Sequence, residues 1–372
     1  MRRLLTLCAL GLLVLSAPDA AAAEVTRTLR AELAPGVTGP FGVENLAGAM
    51  HVVRGSGPTL VAVATVHAES AELADAMRFE QVAGKEGIPT LRVIYPLDRV
   101  GTVRYPGGDG SSIAVPEFLS GLVGSGTRYD GRKVRVTGGS GGTLIYADVE
   151  VQVPAHAVEA TFRNVFGSLR GEGVEGKMKF DTDSGSIKVE KARGTLILDT
   201  GSGNASATGI EGSLTCDTGS GNCSIDGFKG ESITCDVGSG NVHISAASAQ
   251  RVSADTGSGN VRVLDSDVET LNADTGSGNV ILESRGNRLA RIRADTGSGN
   301  VTLRLGPDAS FEALADQGSG DIINRYADAQ PILKRKELIG YRRGDGRTRI
   351  TVDTGSGDLT LEPGGDSARN ER

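Results

Sequence analysis

The residues of this chain whose types and spacing could do chemistry are aspartates set in a repeated string, Asp-Thr-Gly-Ser-Gly-Asn or a close variant. Copies begin at Asp181, Asp199, Asp217, Asp236, Asp255, Asp274, Asp295, Asp316 and Asp353. Leu196-Ile-Leu-Asp-Thr-Gly-Ser202 and Ala254-Asp-Thr-Gly257 spell strings that carry the carboxylates of aspartic proteases. That chemistry needs two carboxylates opposed across a two-fold axis, so that they share one proton. A series of near-identical copies translates its carboxylates instead, and singles out none of them. The expectation is no catalytic residue and no enzyme, with a hydrolase as the lowest-ranked alternative.

Cation binding is the second chemistry open to this row. Ca²⁺ could bridge Asp199, Asp217, Asp236, Asp255, Asp274 and Asp295 through oxygen ligands, relieving their mutual repulsion. At ~5 Å that repulsion is only about 1 kcal/mol in water. An ionised Asp opening a turn can accept from turn amides for roughly 1.5–3 kcal/mol, so no metal or cofactor is required. The nine-residue glycine-aspartate pattern of calcium rolls is also missing. Asp255 is therefore expected to cap its turn, with Gly257, Ser258, Gly259 and Asn260 completing it, and a calcium-binding module is the alternative. Asn204, Asn222, Asn241, Asn260, Asn279 and Asn300 form a parallel row that closes the turn or faces a repetitive glycan.

Other matches fail on context. Gly138-Gly-Ser140-Gly-Gly142 fits a nucleophile-elbow pattern, but a strand follows instead of a helix. Gly171 to Lys177 fits the phosphate-loop spacing, but Met178 stands where Ser or Thr would hold magnesium. His51, His67, His156 and His243 are scattered singly, without the clustering that zinc or a triad needs. Cys216 and Cys235 occupy one position in adjacent copies, with Cys223 just across the turn. A spacing of ~4.8 Å is within disulfide range, so a Cys216–Cys235 bridge is expected in an oxidising compartment, with small buried hydrophobes as the other reading.

The elements that position these residues follow from the spacing. Successive copies are 18, 18, 19, 19, 19, 21, 21 and 37 residues apart, the last step leaving room for one worn copy. A period near 19 residues means stacked coils. Glycines bracketing a serine mark a sharp turn. On both sides of it apolar residues alternate with polar ones, as in a strand with one buried face. Leu196, Leu214, Ile233, Val252 and Leu271 share one inward column, and Leu198, Cys216, Cys235, Ala254 and Ala273 another. After the turn come Ala205, Cys223, Val242, Val261 and Val280, then Ala207, Ile225, Ile244, Val263 and Leu282, with Ile210, Phe228, Val268, Leu289 and Phe311 as a looser fifth wall. The predicted fold is all-β: a right-handed parallel β-solenoid, or single-stranded β-helix, with coils of about 19 residues. A smaller N-terminal β-rich region holds one short helix between Ala68 and Phe79.

Composition agrees. The chain of 372 residues carries 54 glycines, 4% aromatic residues and no Trp, which suits many tight turns around a narrow core. Its net charge of −7 argues against nucleic acid. Arg2 and Arg3, the apolar run Leu4–Leu15 and Ala21-Ala22-Ala23 predict a signal peptide over residues 1–23, so the chain is expected to be exported to the periplasm or cell surface. Cys8 lies inside that run, behind Leu7, and does not fit a lipidation site. No later stretch is long and apolar enough to span a membrane as a helix. Residues 24–132 are read as the N-terminal region, irregular over 97–132; residues 133–363 as the solenoid; residues 364–372 as a polar tail. Residues 325–349 interrupt the repeat with eight Lys and Arg against three acidic residues. Lys334, Arg335, Lys336, Arg342 and Arg343 make this the candidate contact patch, toward anionic lipid or polysaccharide, or else a solvated loop capping the core.

These serial turns, the opening Val43-Glu44-Asn45-Leu46-Ala47-Gly48 and the closing run Gly344–Asp358 resemble the toast-rack putative adhesin family of bacterial envelope proteins. The resemblance implies a single-stranded right-handed β-helix at the envelope and brings no catalytic residues. Function is accordingly expected to be non-enzymatic: an exported adhesin or scaffold whose repetitive polar face binds an envelope or surface ligand, protein or polysaccharide.

Overall fold

The computed structural model describes residues 24–33, 39–107, 127–139, 141–286 and 288–364. The expected signal peptide, most of the irregular stretch 97–132, Ser140 and residues 365–372 lie outside them.

Period-two burial on each side of the Gly-Ser-Gly turn gives every coil two strands, and each strand pairs in parallel with its equivalents in the neighbouring coils. Before the turn, Leu196 pairs with Leu214, Leu214 with Ile233, Ile233 with Val252 and Val252 with Leu271, a single file that is buried throughout. After the turn, Ala205, Cys223, Val242, Val261 and Val280 form a second buried file. The residues expected to form a fifth wall, Ile210, Phe228, Val268, Leu289 and Phe311, are buried, but they do not share one file: Val268 pairs with Ala249, which pairs with Gly230 and not with Phe228. The result is an all-β, solenoid-like stack with its apolar core running along the axis. Each coil buries several aliphatic side chains at ~1.5–3 kcal/mol apiece, but only because another coil covers it.

The turn requires glycine for a steric reason. At Gly240 the backbone has φ +154°, and an added Cβ would lie 1.9 Å from the carbonyl oxygen of Gly221 in the coil below. Backbones stacked this closely leave no room for a side chain.

Both ends of the stack depart from sequence order. Phe41–Ala47 and Met50–Arg54 stack directly on Val158–Phe166 and Leu169–Glu172, so an N-terminal segment supplies a coil of the repeat stack. Beyond it lie Pro89–Ile94 on one sheet and Thr143–Val153 on the other. Antiparallel Leu60–Ala68 and Val25–Leu33 complete that end. The short helix is Ala71–Ala76, capped by the Ser70 hydroxyl accepting from the Leu73 amide. Flanking strands confine it to less than the span between Ala68 and Phe79.

At the other end, Thr348–Thr354 and Leu359–Pro363 pair with the coil Arg291–Thr296 and Val301–Leu305 on one side. On the opposite side they pair with Phe311–Gln317 and Ile322–Asn324. The last coil in sequence is therefore the second to last in space. The anticipated worn copy between Asp316 and Asp353 is not a coil: the chain instead forms an antiparallel hairpin, Gln330–Lys334 with Glu337–Arg343, the second strand pairing with Phe311–Leu314.

Candidate functional site: outer ladders, buried thiols and the C-terminal hairpin

Register at the turns aligns each repeated Asp with its copy. Asp199 pairs with Asp217, and the row continues through Asp236, Asp255, Asp274 and Asp295 to Asp353. These carboxylates are translated along one outer face, so no pair is opposed as a shared-proton dyad requires. At the start of the row cations intervene: Arg163 lies 3.3 Å from Asp181 and 2.9 Å from Asp183, and Lys179 lies 3.0 Å from Asp181 and 2.6 Å from Asp199. They line a groove of about 640 Å³. Farther along, partial burial and then the neighbouring carboxylates raise the Asp217, Asp255 and Asp274 carboxyls above their ordinary range.

Turn capping by Asp255 is corrected by the hydrogen bonds. Among the described residues no turn amide donates to its side chain. Asparagine takes that role: the Asn241 amide donates to Asn222 Oδ1 at 2.9 Å, the Asn260 amide to Asn241 Oδ1 at 2.9 Å and the Asn279 amide to Asn260 Oδ1 at 3.0 Å. The bond therefore runs between coils rather than within a turn, because the Asn side chain points along the stack while the Asp points outward.

Threonine supplies a partner that sequence reasoning missed. Thr200, Thr218, Thr256, Thr275 and Thr296 form a buried column. The Thr256 hydroxyl donates to the Gly240 carbonyl at 2.8 Å and that of Thr275 to the Gly259 carbonyl at 2.8 Å, pinning these turns to the ones below, while Val237 interrupts the column between Thr218 and Thr256. Toward the N-terminal end the column becomes Asn164 and Asn45, both fully buried. Asn45 Nδ2 donates to Asn164 Oδ1 at 3.0 Å and Tyr95 donates to Asn45 Oδ1 at 2.8 Å. The available signal was the inward alternation itself, which puts the residue after each Asp inside.

The expected Cys216–Cys235 bridge is not present. Cys216, Cys223 and Cys235 are free, buried thiols whose sulfurs lie within 4.8 Å of one another. Although Cys216 and Cys235 are register partners, the short contact is across the core, Cys223 Sγ to Cys235 Sγ at 3.1 Å. Hydrogen bonds from Cys223 and Cys235 pull the Cys216 thiol well below its ordinary range, while those two are pushed up.

The basic segment divides in two. Arg343 is a tie: its guanidinium donates to Asp328 at 2.6 Å and to the carbonyls of Pro307 and Ala309 at 2.7 and 2.8 Å. It also stacks over Tyr326, whose hydroxyl donates to the carbonyls of Leu305 and Glu362. Arg342 faces Glu312 at 3.5 Å. Lys334, Arg335 and Lys336 form the exposed hairpin tip, with Arg335 and Lys336 in the left-handed backbone region. Leu333 beside them is 62% exposed. The other exposed large apolar residues among those described, Leu314 and Ile323, lie in the spatially last coil.

Among the described residues no helix is long and apolar enough to cross a membrane. Curated proteins give no match to the sequence. Solved structures do. A putative lipid binding protein from Parabacteroides distasonis is 10% identical with a TM-score of 0.43, the match covering 91% of this chain and 96% of that one. A putative adhesin from the same organism is 14% identical with a TM-score of 0.38, over 76% of this chain and 94% of that one. A putative adhesin from Bacteroides fragilis is 10% identical with a TM-score of 0.34, over 91% and 97%. The family profile described as Toastrack DUF4097 matches residues 146–362, which hold most of the stack of coils, and the chain belongs to that family.

Proposed function

We propose that this chain is a non-enzymatic, exported binding module of the cell envelope, an adhesin or scaffold. Its coils of about 19 residues wind right-handed as a spacer, and its C-terminal end carries the contact. The ligand is a protein or polysaccharide of the envelope or surface. The observation that carries the reading is the distribution of exposed apolar and basic groups: Leu314, Ile323 and Leu333, together with Lys334, Arg335 and Lys336, fall in the last coil and the hairpin. Rigid ties at Arg343 hold this end in place, and a fixed apolar and cationic surface is a recognition element. The equivalent carboxylates of the Asp row offer no distinguished acid or base.

Co-sedimentation with an envelope fraction tests it. The full chain is expected to sediment with the envelope. A variant with Leu333→Ser, Lys334→Glu, Arg335→Glu and Lys336→Glu should lose at least about tenfold of that binding, at an unchanged melting midpoint. Equal sedimentation of both would sink the assignment of the contact. A hydrolytic activity abolished by Asp255→Asn would sink the non-enzymatic reading.

A further inference from the structure

We propose that Cys223 and Cys235 form a disulfide that staples the two sheets across the core, with Cys216 retained as a third, free thiol packed against the bridge. Register favours a different pair, since Cys216 and Cys235 stack one coil apart on the same wall. Geometry favours the cross-core pair. Cys223 projects from the strand after one turn, Cys235 from the strand before the next, and their sulfurs meet at 3.1 Å.

The surroundings decide between a bridge and a metal. Three sulfurs within 4.8 Å could bind a soft ion. The neighbours in the same files, Leu198 and Ala254 on one wall, Ala205 and Val242 on the other, are buried apolar residues. No fourth metal-ligating residue joins the group among the described residues, and the file neighbours are uncharged, so they cannot balance a metal bound by three thiolates. A net charge sealed in such a core is strongly disfavoured. A disulfide and a thiol are neutral and remove the close sulfur contact.

The chemistry balances with a small disulfide oxidant such as oxidised glutathione. One cysteine thiolate attacks it, releasing one glutathione thiolate and leaving a mixed disulfide. The second cysteine thiolate then attacks the protein sulfur and releases the other glutathione. Two protein thiols lose two protons and two electrons, and the oxidant becomes two thiols. Because Cys223 and Cys235 are at most 1% exposed, the exchange takes place during folding, before the flanking coils close.

The test uses the full chain refolded from denaturant, once with oxidised glutathione and once with a reductant, then alkylated in denaturant and mapped by mass spectrometry. It supplies its own oxidant and so stands whether or not the chain is exported. The oxidised sample should carry one alkyl group, on Cys216, and a linked pair of peptides containing Cys223 and Cys235. Its melting midpoint should exceed that of the reduced sample by on the order of 5 °C. Cys216→Ala should still form the same link. Three alkylated thiols after oxidative refolding, a Cys216–Cys235 link, or a bound metal holding all three sulfurs would each overturn the proposal.

Discussion

At the residue scale the Asp row is a load on the fold. Asp255 pairs in register with Asp236 and Asp274 and lacks the turn bonds that would offset their repulsion. Asp255→Asn should therefore stabilise the chain by about 0.5 kcal/mol at pH 7, a screened, exposed-site magnitude, measurable by urea unfolding. The pH dependence fixes the sign. Asp217, Asp255, Asp274 and Asp295 titrate above their ordinary range when folded, because of partial burial and then their neighbours. Their penalty is full above the folded value and fades as pH falls through it toward the unfolded one. The advantage of Asp255→Asn should accordingly vanish near pH 3, and an advantage that persists there would contradict the repulsion. This row was legible in the sequence, and so was its alignment. Its hydrogen bonding was not, because Asp and Asn both favour turns and only coordinates show which side chain points along the stack. The inward threonines could have been read from the alternation, had polar residues been allowed in the core once hydrogen-bonded.

Turns and hairpin set the scale of elements. Gly240→Ala places a Cβ 1.9 Å from a carbonyl oxygen of the next coil, with no flexible side chain to yield. It should cost about 3 kcal/mol, seen in equilibrium unfolding. Arg343→Ala removes two bonds to backbone carbonyls and the stack on Tyr326. A loss of about 2 kcal/mol is expected, concentrated in faster amide exchange over residues 330–343. Unchanged exchange there would show that the hairpin is held some other way. The sequence marked residues 325–349 as an interruption rich in charge. It could not separate the tie, Arg343, from the tip, Lys334 to Lys336, because charge counts do not reveal which guanidinium meets carbonyl oxygens.

For the whole molecule, columns of like residues were readable because translation symmetry leaves its mark on sequence, and Leu214, Ile233, Val252 and Leu271 stand where the period puts them. The order of coils was not readable at either end, since a rung carries no label saying which neighbour it joins. Deleting residues 348–363 should therefore do more than trim an end. It separates the coil 291–305 from residues 311–324, which pair with it only through the deleted strands. Limited proteolysis should then cut throughout 306–347 while 175–284 resists, and continued protection of 311–324 would contradict the pairing. A further consequence concerns assembly in time. A chain delivered amino end first can zip up one turn after another only as far as Leu305. From there residues 311–324 can pair only with the hairpin strand 337–343 until the final strands arrive, so the molecule must close like a drawer sliding in under its own lid.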